Sequence, residues 1–207
     1  MLAALAAGGL GLASPAKAPA LTWAQAFNTP GVSALSFNYK YRDGHGVWHT
    51  VREAVNGARL RRDTDDRLTL YAQPGSDDTH YTLLDLKRRI SVSVTRTNLY
   101  RIGLPEDAWS LRSLLAVPTG GARVQDGGKA ATVAGQVCVW LTVTPQAAGS
   151  YRTCWSHKLA LPLEVRDPHG ATTLQVMSLN LKAPNAATFT VNDDGFARVN
   201  ADEDVSE

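Results

Sequence analysis

The chain has 207 residues, 44% of them hydrophobic, and a formal net charge of +2 from 21 basic and 19 acidic side chains. That length suits a single domain with a sizeable core. So even a charge balance gives no electrostatic footing for nucleic acid or an anionic membrane surface, and neither is expected as a partner.

Residues 1–13 are small and apolar and run into Ser14, Pro15, Ala16, Lys17, Ala18, Pro19 and Ala20. This reads as a signal peptide over residues 1–20 cut before Leu21, although no Lys or Arg precedes the apolar run. The alternative is an Ala/Gly-rich leader on a cytosolic protein. The run is short for a membrane span, so the mature chain is expected to be periplasmic or otherwise exported, with no integral membrane segment. No cysteine stands at the cleavage zone, which disfavours a lipid anchor.

Residues 21–195 are expected to form one β domain. Residues 21–30 suit a short helical lead-in ending at Pro30. In residues 33–42, Leu35, Phe37, Tyr39 and Tyr41 alternate with polar residues, the pattern of a half-buried strand. Turn chemistry at Asp43–Gly46, Asn56–Gly57, Asp65–Asp66 and Pro74–Asp78 then divides a meander whose strands cover residues 47–55, 58–63, 68–70, 79–85 and 89–96. The basic residues Arg59, Arg61, Arg62 and Arg67 are interleaved with Asp63, Asp65 and Asp66. A solvated, charge-paired hairpin is preferred here over an anion site.

The pattern changes within residues 97–117. Pro105, Glu106 and Asp107 suit a helix start, and Trp109, Leu111, Leu114 and Leu115 then make an apolar stripe, Leu114 and Leu115 lying three and four residues after Leu111, up to Pro118. Strands resume at residues 121–125, 130–134, 136–144, 150–156 and 161–167. In residues 171–182, Leu174 and Val176 point one way while Met177, Leu179 and Leu181 point the other, which suggests a bulge or a strand buried on both sides. Thr188–Val191 reads as a short last strand, and residues 196–207 as an acidic, flexible tail.

Cys138 and Cys154 are the only cysteines. With residue 146 as the hairpin midpoint they lie directly opposite each other on one face, close enough to bridge in an oxidising compartment. The same register opposes Trp140 and Arg152, a cation–π pair. Catalytic patterns are scarce. His45 and His49 straddle a turn and a strand, too far apart in extended chain to share a metal. His157 lies near Cys154, yet a bridged cysteine is no nucleophile. Asn192–Gly195 lacks the spacing of a calcium loop and reads as a turn. No catalytic residue, metal or cofactor is expected, and a hydrolase carries the lowest weight.

The feature that stands out is apolar. A curved sheet covered by the mid-chain helix would bring Phe37, Tyr39, Leu70, Leu83 and Val94 against Trp109, Leu111 and Leu115, with Leu114 as part of a cover. The result is either a filled core or a ligand cavity.

Residues 133–191 (VAGQVCVWLTVTP, then YRTCWSHKLALPLEVRDPHG, TTLQVMSLNL and ATFTV), together with NGARLRRDT and YTLLDLKRRI earlier, resemble the periplasmic lipoprotein-carrier and lipoprotein-sorting superfamily (LolA/LolB-like). They are also similar to the N-terminal domain of the RseB/MucB-type sensor of envelope stress. The resemblance implies a mainly β fold: an unclosed half-barrel of antiparallel strands, with a short N-terminal helix and a mid-chain helix on its concave face. It further implies a non-catalytic protein that binds acyl chains or a lipidated protein in a hydrophobic cavity. The alternative is a sensor or interaction module that binds another envelope protein without lipid cargo. The chain departs from the carriers at Asn56 and Gly57, where they hold an arginine followed by proline.

Overall fold

Alternation of apolar and polar side chains, punctuated by turn residues, organises the chain. In a computed structural model, the structure describes residues 19–28, 30–96, 98–99, 112–118 and 120–203. Its strands are β1 (Leu21–Thr22), β2 (Ala34–Arg42), β3 (Trp48–Asn56), β4 (Arg59–Thr64), β5 (Leu68–Pro74), β6 (Thr79–Asp85) and β7 (Ile90–Thr95). After the mid-chain segment come β8 (Ala122–Val133), β9 (Gln136–Pro145), β10 (Tyr151–Ser156), β11 (Leu161–Arg166), β12 (Thr172–Asn180) and β13 (Ala197–Asn200). All thirteen form one sheet in the order β1-β8-β9-β10-β11-β12-β2-β3-β4-β5-β6-β7-β13. Its two end strands do not pair with each other, so the expected mainly β, unclosed, curved sheet is present. Every pairing is antiparallel except the last, where β13 runs parallel to β7.

The N-terminal α-helix, α1 (Trp23–Phe27), is shorter than the lead-in read from residues 21–30. Thr22 caps it: its hydroxyl accepts from the Gln25 backbone N–H, and the Gln25 side chain reaches back to the Thr22 N–H. Phe27 is fully buried and meets Trp155 edge-on at 4.8 Å, docking α1 against Val124, Leu141 and Val143. A second, larger core runs along β2–β7 and includes Leu35, Phe37, Tyr39, Val51, Leu70, Tyr81 and Val94.

Several readings change. The expected helix over residues 105–117 lies largely outside the described residues. Where the chain is described, only Arg112 and Ser113 are helical, and Leu114 already adopts φ +59, a left-handed conformation that ends a helix. Strands 121–125 and 130–134 are one strand, β8, bulged between Asp126 and Ala130. The bulge expected in residues 171–182 is found in β12, where the register shifts between Val176 and Ser178. Thr188–Val191 is not a strand. Ala186–Phe189 makes a 3-10 turn, capped by the Asn185 side chain, that buries Phe189.

Residues 196–203 are not a free tail either. Arg89 bonds the Asp194 and Gly195 carbonyls and stacks over Phe196, Ala197–Asn200 pair with β7, and Asp202 accepts from Thr95 and Asn98. Acidic composition signalled solvation there, but these carboxylates and carbonyls find partners at the sheet edge.

The hairpin β9–β10 carries the disulfide, with Cα atoms 5.2 Å apart. Its register differs from the one centred on residue 146: Cys154 pairs with Trp140 and Arg152 with Thr142. The cysteines are therefore diagonal neighbours on the expected face. Arg152 likewise reaches Trp140 diagonally, 5.0 Å from the ring, while Arg166 stacks over the same ring at 4.7 Å.

Candidate functional site

The pleat sends alternate side chains of β2, β4–β6 and β10–β12 to one face, and there they line an open cavity of about 950 Å³. Tyr39 and Tyr41 come from β2, Arg62 from β4, Leu68 and Leu70 from β5, and Leu83 from β6. Tyr151, Val165 and Leu174 line the opposite side, and Leu114, Leu115 and Ala116 of the mid-chain segment complete the apolar wall. Arg42, Thr64, Asp167 and Thr173 supply polar groups, and Gly149 and Pro168 come from turns at the same end of the sheet. A largely apolar hollow with few polar groups is the usual make-up of a small-ligand site.

Of the residues read from sequence, Tyr39, Leu70, Leu83 and Leu115 line this cavity, as does Leu114. Phe37 lies in the core, its ring stacked on Tyr39 at 5.5 Å. Val94 is also core, paired with Tyr81 across β6–β7. Trp109 and Leu111 lie outside the described residues. The sequence reading missed Tyr41, Tyr151, Val165 and Leu174. Tyr41 was legible as the next step of the Phe37–Tyr39 alternation. Val165 and Leu174 face each other across β11–β12, a pairing that no local pattern announces.

Arg62, which the sequence reading placed on a solvated hairpin, instead lines the cavity and makes an ion pair with the buried Glu53 behind it. Glu53 and Arg62 are directly opposed across β3–β4, and Arg62 Nε donates to Glu53 Oε2 at 2.7 Å. The Glu53 side chain is fully buried and that of Arg62 is 17% exposed. Burial pushes the Glu53 carboxyl up, and Arg62 partly offsets this. Burial alone would lower Arg62, but Glu53 beside it more than compensates and holds the guanidinium charged. The Tyr39 hydroxyl is raised by burial, and that of Tyr151 is pushed up to about 12 by the same cause. Neither tyrosine ionises near neutral pH. Within the basic cluster Arg61 pairs with Asp63 at 3.0 Å as expected, whereas Asp66 pairs with Arg52 of β3, outside the cluster.

At the rim, His49 stands between two carboxylates. Its Nδ1 lies 2.5 Å from Asp65 Oδ2 and its Nε2 lies 3.3 Å from Asp43 Oδ2, while its ring stacks on Tyr41 at 5.0 Å. Among the described residues no cluster of His, Cys, Asp and Glu has the geometry to hold a metal ion, and no helix is long and apolar enough to cross a membrane.

An unclosed, curved β sheet with an apolar cavity on one face is thus the class of structure that this chain forms. No protein-family model and no curated protein matches it. Among solved structures it is similar to one of the Pseudomonas aeruginosa MucA/MucB complex, with a TM-score of 0.50 and 16% identity over 80% of this chain and 58% of that one. A structure of MucB is matched with a TM-score of 0.44 and 17% identity, covering 80% of this chain and 60% of that one. The chain spans less than two thirds of the length of these matched chains. At 16% identity the likeness to the complex structure shows a shared fold.

Proposed function

We propose that this chain is an exported, non-catalytic binding module that engages a second protein of the cell envelope. The observation that carries the reading is the shared fold with a chain in the structure of the MucA/MucB complex. Export is supported by the buried Cys138–Cys154 bridge, since such bonds persist in oxidising compartments, and by the leader-like residues 1–20. Native mass spectrometry of the chain, purified gently from an envelope fraction, tests the reading. The expected species is a stoichiometric complex with one other protein. Recovery of the chain alone from every fraction sinks it.

A second reading has its own support in the cavity: an apolar ligand, such as lipid acyl chains or the lipid of a lipidated protein, seated against Leu70, Leu83, Val165 and Leu174. Burying a single alkyl chain against such a wall contributes about 0.8 kcal/mol per methylene before ordering costs. The neutral dye N-phenylnaphthylamine is the direct probe. Saturable fluorescence enhancement, displaced by long-chain lipids, is expected, and its absence argues for a cavity that holds nothing.

A further inference from the structure

The Asp43–His49–Asp65 group at the cavity rim is more than a surface ion pair, because both imidazole nitrogens face carboxylate oxygens. An ionised carboxylate only accepts hydrogen bonds, so both nitrogens must donate, and only the doubly protonated imidazolium can do that. In the neutral ring, one nitrogen lone pair would point at a carboxylate. The two acids come from different turns. Asp43 shapes the β2–β3 turn, accepting from the His45 and Val47 N–H groups, while Asp65 sits in the β4–β5 turn with φ +52 and accepts from the Thr50 N–H at 2.8 Å. Arg42, Thr64 and Leu68 flank these turns and line the cavity, as does Tyr41, on which the imidazole stacks.

We propose that His49 is a proton-dependent clamp on the cavity rim: as imidazolium it ties the β2–β3 turn to the β4–β5 turn, and as neutral imidazole it lets one of them go. The consequence for ligand entry rests on the second reading above; the clamp itself does not. The charged and titratable groups facing His49 are Asp43, Asp65 and Tyr41, with Arg62 and Arg67 acting on Tyr41 and Asp65 respectively. The hydrogen bond to Asp65, then that to Asp43, raises the His49 pKa above its ordinary 6.5, and burial opposes this only in part. Asp43 is lowered, chiefly by the Val47 N–H. Asp65 is lowered too, because His49 and Thr50 outweigh its burial. Both acids therefore stay ionised while the histidine titrates. A raised folded pKa means that the clamp is fully made below the unfolded value of 6.5 and is lost as pH rises through the folded value.

Three readouts on the intact chain test this. The first is an NMR titration of the His49 imidazole, which should give a pKa above that of the urea-unfolded chain; a value at or below it overturns the clamp. The second is amide exchange at Val47 and Thr50, corrected for its intrinsic pH dependence, which should quicken as His49 deprotonates; pH-independent protection also overturns it. Asp65→Asn is the matched variant, because asparagine tolerates a left-handed φ and keeps an oxygen for the Thr50 N–H. It should return the His49 pKa toward the ordinary value without unfolding the turn. The third is the dissociation constant of N-phenylnaphthylamine, which does not itself titrate in this range. It should change about threefold or more between about pH 6 and about pH 9 in the wild type and stay flat in D65N. Dye binding that is flat in both proteins overturns rim control. Failure to bind dye at any pH, with the first two readouts as expected, supports the clamp and sinks the ligand reading instead.

Discussion

Cys138 and Cys154 show how far single residues can be read. That they share a face of one hairpin follows from parity and needs no structure. Their partners, Trp140 for Cys154 in place of Cys138, depend on where the loop is centred. Moving the centre by one residue shifts every partner by two, which leaves every side chain on its face but changes its neighbour. The bridge closes a loop of 16 residues' separation and should stabilise the fold by about 3 kcal/mol. Replacing both cysteines by alanine should lower the urea midpoint accordingly; an unchanged midpoint would mean that the diagonal geometry costs what the cross-link gains. Gly31 gives a contrasting case that no pattern signalled. Its φ is +61, and a Cβ there would meet Ala160 Cβ at 2.7 Å and the Leu159 carbonyl at 2.8 Å. Gly31→Ala should therefore destabilise by more than the roughly 1–2 kcal/mol of left-handed strain alone. A loss below that in equilibrium unfolding would show that the 159–160 turn gives way.

The β3–β4 hairpin carries the same lesson to the element. Glycine at φ +60 occupies the first loop position at Gly57, so Asn56 pairs with Arg59 and Glu53 with Arg62. Reading Asn56–Gly57 as the loop centre hides that pair and leaves Arg62 among solvated charges. The signal was nevertheless in β3, where Glu53 shares its face with Val51 and Val55. A buried pair is weakly stabilising as a whole but expensive to split. Glu53→Gln, which removes the counter-charge from a guanidinium in the cavity wall, should cost about 3–5 kcal/mol, whereas the double change Glu53→Leu with Arg62→Leu should cost far less. Urea titrations of the two proteins decide it; equal losses would mean that the pair matters for packing rather than for charge. The elements misread outright, the 3-10 turn at Ala186–Phe189 and the strand Ala197–Asn200, share a cause. Each is fixed by distant partners: Arg61 bonding the Thr188 carbonyl, Gln73 bonding that of Phe189, and β7 lying beside residues 197–200. Short segments held by long-range contacts leave little trace in local periodicity.

At the scale of the molecule, the mainly β class was legible because turn chemistry recurs at short intervals, whereas the open edge of the sheet was implied only by the family resemblance. The cavity was only half legible. Alternation marks which residues of β2, β5 and β6 point to one side, but β10–β12 reach that space only because the sheet places β12 beside β2. A chain of this length could equally have filled the space with side chains, and Leu83 discriminates between those outcomes. It is half-buried on β6, directly opposite Leu70, with its side chain in the cavity wall. If the space accommodates a ligand, Leu83→Trp has room for its indole without displacing the core, so thermal unfolding should move by only a few degrees. The same indole would occupy volume that a bound apolar molecule needs, and affinity for N-phenylnaphthylamine should fall by about tenfold, a loss of about 1.4 kcal/mol. A well-packed core would respond in reverse, with overpacking costing about 1–3 kcal/mol of stability and no dye binding to lose. Calorimetry and dye titration on this one variant therefore separate a cavity that accepts a guest from a space that the sheet has already closed.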